Sequence, residues 1–181
     1  MKKYLITFLF LFAMSTLLLG SQIPKKSEKT VSLTDVSNSL KKYQGNKDYD
    51  FVGNSIIYKV VEKTNYDNIF KESAIIYATI KQVRGCVDAI NTEKIPVTTE
   101  FAIANIAFAN KDLPEMKEKI TRLLAAIEKL NPKNDFKKTE MKKAATAAEG
   151  IKIAKKQLSE SSKELPKLLD DLKGISTKAI K

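Results

Sequence analysis

Asn46, Asp48 and Asp50 set side-chain oxygens at alternate positions shortly before Gly53, which is how a calcium-binding loop begins. The turn glycine of such a loop would fall at 51 and the closing glutamate at 57, where the chain has Phe51 and Ile57. The stretch therefore reads as a solvated turn. Cys86, in "RGC", is the one thiol of the chain. A neighbouring arginine such as Arg84 lowers a thiol pKa, but a nucleophilic reading has no histidine partner to draw on, because the chain contains none. The missing histidine also removes the commonest general base, the usual zinc ligand, most haem ligation and the Glu-x-x-His motif of di-iron bundles. A single cysteine cannot hold an iron–sulfur cluster. No glycine-rich phosphate loop and no Gly-x-Ser-x-Gly elbow is present. The expectation is a protein without catalytic, cofactor-binding or metal-binding residues, in which Cys86 is buried and Gly85 marks a close helix–helix approach.

The remaining chemistry is charge. The 181 residues carry 32 lysines and arginines against 21 aspartates and glutamates, a net charge of +11. Arg84 and Arg122 are the only arginines. Specific recognition of phosphates and bases draws on the bidentate arginine fork, so no specific nucleic-acid binding is expected. The pairs Lys137-Lys138, Lys142-Lys143 and Lys155-Lys156 have few stacking aromatics between them. They read as a solvated face, or as a weak contact with an anionic envelope surface.

The first residues bear on where this charge acts. Met1-Lys2-Lys3 is a short positive start, followed by the apolar residues 4–19 and then "GS". As a helix that stretch reaches about 24 Å, short of a hydrocarbon core of about 30 Å. Residues 1–21 thus read as a cleaved signal peptide, and the protein as exported to the periplasm or cell envelope of a bacterium. Ser21 stands where a lipoprotein signal carries its cysteine, so lipidation is not expected. Residues 22–31 read as a flexible mature N-terminus and residues 32–181 as a single helical domain.

Helical periodicity fills that domain. Ser32 and Asp35 resemble a capping box ahead of Leu33, Val36 and Leu40. Ile56, Ile57, Val60 and Val61 form two i, i+4 pairs and read as a short helix. From Ile69 through Ser73, Ile76, Ile80, Val83 and Val87 to Ile90, steps of three and four give an amphipathic helix of about six turns. Thr98 or Thr99 caps "EFAIANIAFAN", which is apolar on nearly every face and is assigned to the centre of the bundle, with Phe101 and Phe108 candidates to line a cavity. Asp112 caps a further helix with Pro114 in its first turn, and Met116, Ile120, Leu123, Ile127 and Leu130 on its inner stripe.

The last segment, 135–181, is the most regular. Ala144, Ala147, Ile151, Ala154, Leu158, Ser161, Leu165, Leu168, Leu172, Ile175 and Ala179 alternate steps of three and four. Pro166 inside this run costs about 3 kcal/mol in a helix and predicts a kink, or a break with Ser161 and Glu164 capping a second helix. No strand-type alternation competes. The expected fold is all-α, a helical bundle of about five to six helices with a long C-terminal helix.

From these features we expect an exported, non-enzymatic helical protein. It would act through protein–protein contacts as a structural or accessory component of the envelope, with a protein partner or a second copy. The candidate partner-binding seam is Ala147, Ile151, Ala154, Leu158, Leu165, Leu168, Leu172 and Ile175; whether it faces inward or another chain is left open by the pattern. A lysine-rich module for an anionic surface or polymer is the alternative, and a small-ligand binder or enzyme with a pocket in the bundle is a third.

Overall fold

The computed structural model describes residues 27–32, 34–36, 50–52, 55–96 and 100–179, with backbone alone at 100–102, 104, 105, 108–110 and 176–179. The expected signal segment, Leu33, Leu40, Asn46, Asp48, Gly53, Thr98, Thr99 and the side chains of Phe101, Phe108 and Ala179 lie outside the described residues.

The elements in chain order are strand β1 (Glu28–Thr30), strand β2 (Ile57–Lys59), helix α1 (Thr64–Asn91), helix α2 (Glu100–Glu128), the short α3 (Pro132–Asp135), a single 3-10 turn (Lys138–Glu140) and helix α4 (Met141–Ala179). The fold is an all-α bundle, with three long helices around one main core and a small two-stranded sheet on its side. Phe70 meets Gly150, Tyr77 meets Glu160 and Arg84 meets Asp171, so α1 and α4 run parallel. Glu128 pairs with Lys155 and Pro114 shares a groove with Pro166, so α2 runs antiparallel to α4.

The two-stranded sheet corrects two expectations. Residues 28–31 are ordered instead of flexible, and the run from Ile56 to Val61 is extended instead of helical. β1 and β2 pair antiparallel with Lys29 opposite Tyr58, and the ladder is extended by Val31 N–H to Ile56 O and Val60 N–H to Ser27 O, both 2.8 Å. The reason is local. The run is short and rich in β-branched residues, which favour a pleated, half-buried surface, and an isolated helix of this length does not hold itself together. Lys59 on β2 is buried and bridges Glu28 of β1 and, at 3.0 Å, Glu149 of α4. Gln157 Nε2 of α4 donates to the Ile57 carbonyl at 3.0 Å, which closes the inner strand edge. After β1, Ser32 and Asp35 form the expected reciprocal cap, and the Ser32 hydrogen bonds hold the Asp35 carboxyl below its ordinary pKa even though burial acts the other way.

Asp67 ties β2 to α1 by accepting the N–H groups of Val61 and Lys63 at 2.7 and 3.1 Å. Tyr66 and Phe70 are fully buried, and Tyr66 stands edge-on to both Phe70 and Phe136. The Tyr66 hydroxyl donates to Asp135 at 2.6 Å, which anchors α3 beneath the bundle.

Both interior prolines sit in continuous helices, contrary to expectation. Asp112 and Pro114 do not start a new helix: α2 runs straight through them. Nor do Ser161 and Glu164 cap a second C-terminal helix, since α4 is unbroken at Pro166. In each case apolar residues flanking the proline are buried, Leu113 and Met116 in α2 and Leu165 and Leu168 in α4. Each such side chain contributes about 1.5–3 kcal/mol, which offsets the roughly 3 kcal/mol proline penalty.

The glycines also differ from expectation. Gly85 faces Phe51 from the segment preceding β2, not another helix. The close helix–helix approach is at Gly150, where an added Cβ would lie 2.4 Å from the Phe70 ring. Phe70 is fully buried and has nowhere to move. Gly150→Val is accordingly expected to destabilise the protein by about 1–3 kcal/mol through overpacking. Gly174→Ala, where nothing lies within 4 Å of the new methyl, is expected to stabilise by about 0.5–1 kcal/mol from helix propensity alone. Urea midpoints of the two variants check this, and equal shifts of the same sign would refute the packing account.

Candidate functional site

The seam on α4 is the first candidate, and the structure places it indoors. Ala147, Ala154, Leu158, Leu165, Leu168, Leu172 and Ile175 are all buried, and Ile151 is half-buried against the same core. Their cover comes from α1, α2 and the two-stranded sheet of the same chain. As a partner-binding surface this seam is therefore corrected to internal packing. The physical reason is that cover within the chain carries no cost of bringing a second molecule into register.

The second candidate is the polar flank between α1 and α4, which the sequence pattern did not reveal. Arg84 Nε meets Glu164 Oε1 at 2.5 Å, Nη1 meets Asp171 Oδ2 at 2.5 Å, and Asp88 lies 3.8 Å from Nη1. Burial works against the guanidinium charge, but the hydrogen bonds to Asp171 and Glu164 outweigh it and raise the Arg84 pKa. Two turns earlier on α1, the Tyr77 hydroxyl donates to Glu160 at 2.6 Å, and burial together with that bond pushes its pKa up to about 12. An arginine already held by two carboxylates is not available to bind an external anion. Its role here is to lock α1 against α4. The available signal was compositional: one of only two arginines falls inside an amphipathic helix.

Arg84 does not activate Cys86. The thiol is buried at 1 % exposure, and burial pushes its pKa up to about 12, so it stays protonated and unreactive. Among the described residues no group of cysteine, aspartate and glutamate side chains is arranged to hold a metal ion. Asp50, from the calcium-like pattern, accepts the Val52 N–H at 3.1 Å as a turn residue does.

The outer faces hold the remaining candidates. The apolar run of α2 was assigned to the bundle centre, yet Ile103 is 56 % exposed, Ala107 is exposed and Ile106 is only half-buried. Ile103, Ala107, Pro114, Thr121 and Ala125 are spaced by four and seven residues, share one helical face and are all exposed. No charged residue stands between Glu100 and Lys111 in a chain where 29 % of residues are charged. The result is an uncharged outer face over the first turns of α2, beyond which the exposed Lys111, Lys117, Glu118 and Arg122 flank Pro114, Thr121 and Ala125. On the outside of α4, Lys152, Lys156, Lys163 and Lys167 are exposed at spacings of four and seven and form a basic ridge. No described helix is long and apolar enough to cross a membrane.

No protein-family model, curated protein or solved structure matches the chain. The functional reading rests on these surfaces alone.

If Arg84 locks the two helices, Arg84→Met leaves Glu164 and Asp171, two turns apart on α4, without their shared counter-ion. A loss of about 2 kcal/mol is expected, reduced from the fully buried case because both carboxylates reach water. Adding Glu164→Gln should recover part of that loss. An additive double variant in denaturant titration would show that the pairs are not coupled.

Proposed function

We propose that the protein is an exported, non-enzymatic accessory component of a bacterial cell envelope, and that it works by docking the outer stripe of α2 against a helix of a different protein. The observation that carries this reading is Ile103, more than half exposed at the head of an uncharged helical face. Interface centres are depleted of charge and rimmed by polar residues, and exposed apolar patches on soluble proteins mark contact sites. The signal pattern of residues 1–21 supports export, and the absence of histidine supports a role without catalysis.

Charge selects the occupant. Two copies, each still at +9 after residues 1–21 with Lys2 and Lys3 are removed, repel one another, so the partner is a different chain with an acidic rim around its own apolar helix. The test is a photo-reactive residue at Ala107 or Ala125, with Lys156 on the opposite helix as control. One discrete acidic envelope protein should be captured from the two α2 positions and not from Lys156. Ile103→Lys should abolish the capture, and binding of the purified pair, while leaving thermal unfolding unchanged. Capture of this chain alone, or binding that survives Ile103→Lys, would sink the proposal.

The basic ridge favours a second reading, in which the lysine face holds the protein loosely to an anionic surface. Binding to vesicles containing anionic lipid should then fall steeply with salt and vanish near about 0.5 M, where charges are screened within a few ångströms. Changing Lys152, Lys156, Lys163 and Lys167 to glutamine should remove it. Retention in high salt would rule the ridge out.

A further inference from the structure

Between α2 and α4 lies a groove of about 290 Å³ that neither reading uses as a ligand site. Pro114, Ile120, Leu165, Pro166 and Leu169 give it apolar walls. Two of these are the prolines that interrupt neither helix, brought to the same level by the antiparallel packing of α2 on α4. A proline has no N–H, so each contributes a bare pyrrolidine ring with no donor on its backbone nitrogen. The one charged residue of the lining is Lys117, and no carboxylate in the lining neutralises it. The Thr121 hydroxyl donates to the Lys117 carbonyl at 3.0 Å, and Ser162 stands on the facing wall.

We propose that this groove binds a free monoacyl carboxylate, with its hydrocarbon against Leu165, Leu169 and the two proline rings and its carboxylate paired with Lys117. The volume sits at the small end of ligand clefts, which run from about 300 Å³ upward. At about 30 Å³ for a water-sized group, it holds roughly ten such groups, a single medium chain and not a two-chain lipid. One lysine matches one negative charge. A neutral alkane-like ligand would make no ion pair with the exposed Lys117, and an acidic peptide would leave the apolar walls uncovered.

Isothermal titration calorimetry of the full chain with decanoate, and with decanol as the uncharged control, tests the assignment. Saturable binding of one decanoate per chain is expected, with decanol at least about tenfold weaker. Lys117→Glu should weaken decanoate by a similar factor. Ser162→Phe, and separately Thr121→Phe, should fill the groove from opposite walls and abolish binding. Ser162 and Thr121 are both exposed, so the fold should persist, and unchanged thermal unfolding checks that it does. Absence of saturable binding, equal affinity for decanol, or decanoate affinity that survives both filled variants would overturn the proposal. Pro114 and Thr121 also belong to the outer stripe of α2, so Ser162→Phe, on the facing wall, is the variant that separates the two readings: it should abolish decanoate binding and leave partner capture through Ile103 intact.

Discussion

The apolar stripe of α4 has to be covered along 39 residues, a rod of about 58 Å. With no disulfide open to a chain that has one cysteine, the burial of that stripe is what holds the protein together. Leu158, Leu168 and Leu172 are at or below 1 % exposure, and each removes enough apolar surface from water to contribute about 1.5–3 kcal/mol. α1 and α2, at 28 and 29 residues, are each only about 42–44 Å long. Neither can cover α4 alone. The two-stranded sheet and α3 add cover along the first half of α4, where Lys59 reaches Glu149 and Gln157 reaches the β2 backbone. The small sheet thus joins the helices in covering that stripe.

Apolar contacts alone would let parallel helices slide by a turn, because a leucine offers the same surface to several neighbours. The polar ties at the edges of the seam remove that freedom. Gly150 admits the Phe70 ring at one level, Tyr77 finds Glu160 at the next, and Arg84 spans Glu164 and Asp171 beyond it. A shift of α4 by one turn would strand the guanidinium and set the Phe70 ring against the Cβ of Thr146 or Ala154. The net stability from such half-buried pairs is small, and their effect falls on the alternatives, which they make costly. Singly buried polar groups are the exception. The Ser161 hydroxyl is fully buried within the seam and finds no partner among the described residues.

How much of this was legible in the sequence depends on whether a residue's neighbours along the chain decide its environment. For α1 and α4 they do: apolar steps of three and four from Ile69 to Ile90 and from Ala144 to Ile175 can only be buried as helical faces. The inward sense of the seam was not readable, since an identical pattern serves a coiled coil between chains. Pro114 and Pro166 misled because the penalty of a proline is local whereas the burial of Leu113 and Leu165 that offsets it comes from across the bundle. The run at Ile56–Val61 misled because period alone does not separate a short β-branched helix from a strand. The partner of β2, residues 28–30, carried no strand pattern of its own. Arg84 was visible only as a composition anomaly, with Glu164 and Asp171 some eighty residues away.

The same bookkeeping of cover narrows where the protein can meet anything else. α4 turns its apolar side inward and leaves a lysine ridge outside; α1 is buried along most of its length, with Gln82 and Gly85 occupied by the segment around Phe51. α2 has only one neighbour on each flank and no element over its outer face among the described residues. An uncharged residue such as Ile103 on that face gains nothing from solubility and nothing from the core, yet in a chain this basic a lysine there would have been the default. The lack of charge over the first turns of α2 is therefore the feature that internal packing does not explain, and it is the reason for proposing that a helix of another protein covers it.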